Sequence, residues 1–434
     1  MDTDELAPEA SMNLPDPQTA HEFGQGKIGI EQGPGAKLRV HGPELEMALA
    51  FETESFALIF RAQHAAIVTD LALACSDPGS GDAFLWLGTD RSSLWLLCVT
   101  RHDSLWEGQA IERPYVDFLD VRTAPSAIRE FRRRPNREQA KRVLEFLRDK
   151  TQGLGLSRTF PLFTEAEAVI AGQERRLTVK LEPGCEWFVL VPIEYLATSR
   201  LNRPVAWHVE WIATAKTFVR NLQERNQIAN EISDLPIFLR HAVVILNTYR
   251  IAGFDERLIR ATERVSTLLS LLKNVNVQIG GQIESFSLRA FLNPTATEIG
   301  AILHDPSTWF VLADFHVENG TWQLGDEHGE FPVKSLASDS LRHVRLLRIF
   351  HCNSMLDHAG GTGFQDSIVS VLLRAGAMRV EGSPFVENYI VFLRQLVRFI
   401  VNHPSLRVVL LGQSMAQEAD LDRLFNEIHI AVNN

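Results

Sequence analysis

LRHAVVILNTY, residues 239–249, holds five apolar residues in a row, Ala242 to Leu246, three of them β-branched. A strand with one face in water alternates apolar and polar residues. A run without that alternation is what a strand buried on both faces requires, and such strands belong to parallel sheets covered by helices on either side. Helix-period segments flank it, TAKTFVRNLQERNQIANEI (214–232) ahead and DERLIRATERVSTLLSLLKN (255–274) behind. Further along, VNVQIGG (275–281), TWFVLADFHV (308–317), HVRLLRIFHC (343–352) and MRVEGS (378–383) read as strands. SLRAFLNPTATEIGAILHD (287–305), interrupted at Pro294, reads as helical, as do DSIVSVLLRAGA (366–377) and NYIVFLRQLVRFIVN (388–402). RRLTVKL (175–181) and EWFVLVPIEYLA (186–197) read as strands at the front of this series. Alternation over residues 161–434 predicts an α/β domain with a mostly parallel sheet flanked by helices.

Residues 46–160 have a different pattern. FALIFRAQHAAIVTDLALA (56–74), AFLWLGTD (83–90) and SSLWLLCVT (92–100) are short apolar runs separated by DPGSGD and TDRSS. Turn signals at that spacing predict hairpins, though the first run fits a helix equally well. The result is a smaller β-rich module. It closes with a basic helical segment, residues 127–149, broken at Pro135 and capped again at Asn136. Arg132 to Arg134 suit an anionic partner, or simply a solvated face. Residues 1–45, rich in Pro, Gly, Asp and Glu, read as a disordered acidic leader.

Length and composition narrow the function classes. The chain has 434 residues, enough for two or three domains, and a net charge of −11. That balance argues against non-specific nucleic-acid binding. No apolar run reaches the ~18–20 residues that span a bilayer, so no membrane partner is expected. The opening MDTDELAPEASMNLPD has no charged stretch followed by an apolar one, unlike a secretory signal. Cys75, Cys98, Cys185 and Cys352 are scattered without a CxxC pair, which points to a reducing cytoplasm.

Two of the strands end in residues capable of covalent chemistry. TWFVLADFHVENG ends in His316 and VRLLRIFHCNSM in Cys352. Both follow bulky apolar blocks, so both would emerge at the same edge of a parallel sheet. Their separation of 36 residues leaves room for a hairpin and a crossover. Neighbouring strands lie ~4.8 Å apart, close enough for side chains at adjacent strand ends to meet. A free thiol titrates near ~8.5 and attacks a carbonyl only as the thiolate. A nearby imidazole takes that proton or stabilises the thiolate as imidazolium. The backbone N–H of Cys352, where the chain turns at NSMLDHAGGTG, is a candidate donor to the oxyanion. This chemistry calls for no metal and no cofactor.

These residues resemble a family, the clan CD cysteine peptidases (caspases, separase, gingipains), and within it the CHAT domains of bacteria. The Cys motif there is a strand, Asn-Ala-Cys-x-Ser, a Gly-bearing loop, a helix, Ala-Gly-Ala, and a strand ending in Gly-Ser. This chain reads RIFHCNSMLDHAGGTGFQDSIVSVLLRAGAMRVEGS over residues 348–383. Cys352 fills the nucleophile position and Ser354 follows. Gly360, Gly361 and Gly363 fill the loop; Ala375-Gly376-Ala377 and Gly382-Ser383 come in register. FVLADFHVENG matches the His motif with His316 as base, and WQLGDEHGEFPVKSLAS (322–338) stands between the two. EWFVLVPIEYLATSRLNRPVAWHVEWI (186–212) is similar to the leading part of CHAT domains. The likeness covers residues 185–434. Two departures are plain: Val317 stands where the family has Gly, and His351 where Ala is usual.

The resemblance implies a caspase-like sheet and a cysteine endopeptidase that cleaves a companion protein. It also implies switching in bacterial defence or regulated cell death, with a gasdermin among the substrate types. The β-rich module would then receive an activating partner or signal. The N–H of Val317 would join Cys352 at the oxyanion. Glu387, in a loop that lines the family's cleft, is the first candidate for an S1 acid, with Asp357 and Glu318 behind it; an apolar S1 pocket is the alternative.

Other assignments compete for the same residues. His328 sits in a literal His-Gly pair, but in the hairpin DEHGEF and not at the end of an apolar run. His351, Cys352, Asp357 and His358 lack the tight pairings of a zinc site. Cys352 as a core thiol, an inactive CHAT-like scaffold, and a transferase using the same dyad complete the set. Cys75, Cys98 and Cys185 have no partners in sequence and read as structural. Trp309 and Trp322 read as core.

Overall fold

The computed structural model describes residues 21–23, 26–33, 37–42, 45–77, 81–90, 92–102, 105–114, 126–133, 137–149, 175–185, 188, 191, 207–212, 218–248, 256–270, 272–318, 321–325, 329–350, 367–382, 393 and 396. The first sheet contains β1 (His21–Phe23), β2 (Gly26–Gly33), β3 (Lys37–Gly42), β4 (Leu45–Phe51), β5 (Ala83–Thr89), β6 (Ser93–His102), β7 (Leu105–Pro114), β8 (Arg175–Leu181) and β9 (Trp207–Ile212). Their spatial order is β1-β2-β3-β4-β7-β6-β5-β8-β9. The pairs β4–β7, β5–β8 and β8–β9 are parallel and the rest antiparallel.

Strands β5 and β6 lack alternation because both faces of this sheet are covered. Ala83, Leu85 and Leu87 pack with α2 (Ser126–Arg133) and α3 (Arg137–Arg148), whereas Phe84 and Trp86 pack with α1 (Glu54–Ser76). The apolar run 56–74 is therefore helix. Thr53 caps it, its hydroxyl accepting from the Phe56 N–H at 3.1 Å. The helix bends at His64, whose ring lies against Phe60 and Trp95.

Two expectations change here. His21–Phe23, Gly26–Gly33 and Lys37–Gly42, expected within a disordered leader, form β1 to β3, and Leu38 and Val40 are buried in the core beneath α1. β8, expected to open the α/β half, instead extends the β-rich sheet, and β9 pairs beside it; the other strand expected there, residues 186–197, lies outside the described residues except for Phe188 and Val191. Leu177, Val179 and Leu181 alternate into the core of the β-rich sheet, and β5 offers the edge they pair with. The β-rich sheet thus includes strands as far along the chain as Ile212.

The second sheet follows α4 (Phe218–Ser233) and α5 (Leu235–His241). It contains β10 (Ala242–Leu246), β13 (Arg289–Leu292), β14 (Phe310–Asp314), β18 (Leu346–Phe350) and β19 (Arg379–Glu381), ordered β13-β10-β14-β18-β19. Every neighbouring pair is parallel, and helices cover both faces. Val244, Phe310, Leu312 and Leu346 face one core with α5 and α6 (Glu256–Ser270). Val243, Ile245, Val311 and Ile349 face the other with α7 (Ala296–His304) and α8 (Ile368–Arg374). A mixed α/β chain with a helix-flanked parallel sheet and a β-rich N-terminal region is the architecture the apolar runs implied.

Two segments depart from expectation. Arg289–Leu292, expected to be helical, is an edge strand on β10, and the helix begins only at Ala296. Thr295 and Glu298 form a reciprocal capping box there, so Pro294 precedes the helix rather than interrupting it. VNVQIGG lies outside the parallel sheet: among the described residues β11 (Val275–Ile279) pairs only with β12 (Gln282–Phe286), across a turn in which Gly280 and Gly281 both have positive φ.

At the amino edge, the residues immediately before β10, β14 and β18 stack. The His241 ring lies parallel to Trp309 at 3.6 Å, and the Arg345 guanidinium covers the other indole face at 3.8 Å. Arg345 also pairs with Glu231. Helix α8 contacts both sheets. Ile368, Val371 and Leu372 pack into the parallel-sheet core, whereas Val369 belongs to the core of the first sheet, with Leu373 packed against it. Among the described residues no single helix is long and apolar enough to cross a membrane.

Candidate functional site

From β10 the chain goes to β13 on one side and then to β14 on the other. The strand order therefore reverses between β10 and β14, and the carboxyl ends at such a switch point are where open parallel sheets bind ligands. The residues at this edge are polar although the strands are not. β10 is followed by Asn247 and Thr248, β13 by Asn293, and β14 ends in Asp314.

These side chains form a buried network. The Asn247 amide is fully buried; its nitrogen donates to the Asp314 carbonyl at 2.5 Å and its oxygen accepts from the Gly325 N–H at 3.3 Å. The Asn293 side chain accepts from the Thr248 N–H and donates to the Thr248 hydroxyl, both at 2.7 Å. Asn293 holds a φ of +51°, a conformation Asn tolerates better than other non-glycine residues. Gly325 fits against this network because it has no side chain. A Cβ there would lie 2.1 Å from Asn293 Oδ1 and 2.7 Å from the Thr248 carbonyl oxygen. Burial pushes the Asp314 carboxyl well above the ordinary carboxylate range.

Past Asp314 the chain leaves the sheet. Phe315 stacks on Trp322 at 4.1 Å, with the rings 5° from parallel, and Trp322 packs on Phe331. β15 (His316–Glu318) then pairs with β16 (Thr321–Gln323), which pairs with β17 (Glu330–Phe331). His316 opens β15 opposite Gln323 and is half-buried. Phe315 and Val317, on either side of it, are buried in the same core as Trp322. Alternation along β15 therefore turns the imidazole away from that core. Trp322 is core as expected, and Trp309 is half-buried in the amino-edge stack.

His316 and Val317 are the predicted site residues on which the described geometry bears directly. Val317 occupies an ordinary strand position with its side chain buried. Glu318 closes β15 opposite Thr321. Cys352, Asp357 and Glu387 lie outside the described residues, as do His328, His351, Ser354 and His358. The described position nearest Cys352 along the chain is Phe350, the last residue of β18, which pairs with Asp314. Cys75, Cys98 and Cys185 are buried thiols outside any disulfide among the described residues; burial raises the thiols of Cys75 and Cys98 far above their ordinary range.

On the other flank of β18, Arg348 and Arg379 both hold Glu381. Burial alone would raise that carboxyl; the two guanidinium groups outweigh it and bring it to about 2. Asn247, Thr248, Asn293 and Asp314 escaped the sequence reading. Their signal is a polar residue directly after an apolar run, in VILNT, AFLN and VLAD. The chain matches no protein-family model, no curated protein and no solved structure.

Proposed function

We propose that the chain is a cysteine endopeptidase of the CHAT type, with Cys352 as nucleophile and His316 as base. The observation that carries the reading is the register of β14 against β18. Phe310 faces Leu346 and Asp314 faces Phe350, an offset of 36 residues throughout. His316 and Cys352 are separated by the same 36 residues, each two positions past the end of its strand. Chain length keeps the Cys352 Cα within about 8 Å of the Phe350 Cα. Each candidate therefore follows the carboxyl end of one of two adjacent parallel strands, β14 and β18, the edge at which such sheets bind ligands.

In this mechanism His316 takes the Cys352 proton, and the thiolate adds to a peptide carbonyl. Backbone N–H groups receive the oxyanion, and the protonated imidazole returns its proton to the leaving amine. Water then hydrolyses the acyl-enzyme. Cys352 and Val317 are the candidate oxyanion donors, and Glu387 and Asp357 the candidate S1 acids. The partly shared core at α8 supports a regulatory role for the β-rich module. That helix packs into both sheets, and its N-cap Ser367 lies fifteen residues past Cys352.

Cleavage of a mixed peptide library, or of proteins encoded nearby, by the wild type but by neither Cys352→Ala nor His316→Ala is the expected result. An equally active Cys352→Ala would end the proposal. The second reading is a catalytically inactive CHAT-like scaffold. Val317 favours it, being buried in the core where the family has Gly. A thiol-reactive peptide probe that labels Cys352 no faster than the three buried cysteines would support the scaffold.

A further inference from the structure

We propose that Asn247 is a positioning residue for His316: its amide clamps both ends of the β15–β16 hairpin and so fixes where the imidazole stands relative to the end of β18. The inference rests on the dyad reading above. The backbone ladder between β10 and β14 ends at Ile245 and Ala313. Beyond it the Asn247 side chain takes over. It donates to the carbonyl of Asp314, two residues before His316, and accepts from the N–H of Gly325, two residues past Gln323. One fully buried side chain thus holds both the entry and the exit of the hairpin.

The hairpin needs that tether. Among the described residues β15, β16 and β17 pair only with one another and form a sheet of their own. The stacked Phe315, Trp322 and Phe331 anchor one face through apolar contact, which resists separation but tolerates sliding. Hydrogen bonds are directional, so the Asn247 clamp removes the sliding freedom that packing leaves. A shift of about 1 Å at a base is enough to cost about a hundredfold in rate. Asn also suits the position chemically, since it supplies a donor and an acceptor from one planar group with no charge to bury.

The test is the pH profile of Cys352 alkylation by iodoacetamide, resolved from the other cysteines by mass spectrometry. It uses the full chain as wild type, His316→Ala, Asn247→Ala and Asn247→Ser, with Trp309→Ala as a destabilised control at the opposite sheet edge. Asn247→Ala is expected to move the profile toward that of His316→Ala and to slow alkylation at pH 7 by about tenfold. Asn247→Ser, which keeps one polar atom, is expected to lie between Asn247→Ala and the wild type. Trp309→Ala should retain the wild-type profile, because destabilisation alone does not move a titration. A folded Asn247→Ala or Asn247→Ser with the wild-type profile, while His316→Ala shifts, overturns this inference and leaves the dyad standing. A His316→Ala profile identical to wild type overturns both.

Discussion

Asp314 shows how a single residue ties the edge of the parallel sheet to pH. The residue is 4% exposed and burial raises its carboxyl well above the ordinary range, whereas the unfolded chain ionises it within that range. The folded state binds the extra proton, so this group lowers stability progressively as pH rises from about 4 toward neutrality. Asp314→Asn keeps the shape and removes the titration. Its denaturant midpoint is expected to match the wild type at pH 4 and to exceed it increasingly at pH 6 and 7; an advantage that stays flat across that range would contradict the assignment. Gly88 illustrates a purely steric demand. A Cβ there would sit 2.1 Å from the buried Trp95 ring. Gly88→Ala is expected to destabilise the protein by about 1–3 kcal/mol in equilibrium unfolding.

At the scale of elements, what is legible in the sequence depends on where the ordering energy comes from. β10, β14 and β18 declare themselves because a strand buried on both faces must be apolar throughout, and their apolar runs are bounded by polar residues. α8 is legible from its period and its Ser367 cap. β13 is not: RAFL is four residues of mostly helix-forming type, and pairing with β10 is what makes it a strand. β1 to β3 are obscured by glycine and charge, since their partners supply what their composition lacks. The site divides the same way. His316 stands at the end of a conspicuous apolar run. Asn247 and Asp314 look like the start of loops, and only the tertiary network buries them. The His241–Trp309–Arg345 stack likewise arises from register, because each residue precedes its strand by one position. Trp309→Ala should cost about 2–4 kcal/mol in unfolding free energy.

At the scale of the whole molecule, the two sheets are not independent. Val369 of α8 is buried in the core of the β-rich sheet, while its helix neighbours Ile368, Val371 and Leu372 are buried in the core of the parallel sheet. Val369→Ala removes two methyl groups from one core and is expected to destabilise by about 1–3 kcal/mol. Hydrogen exchange should then quicken at amides of β5 and β18 together; faster exchange in one sheet alone would mean that α8 does not couple them. The central claim remains the dyad at the carboxyl edge of the parallel sheet. Its most direct test is the rate of Cys352 alkylation at pH 7 in the wild type and in His316→Ala, read beside Cys75, Cys98 and Cys185. Cys352 is expected to react at least tenfold faster than any of the three in the wild type, and to lose that advantage in His316→Ala. Equal rates at Cys352 in the two proteins would show that His316 does not act on the thiol, and the endopeptidase proposal would fall with it.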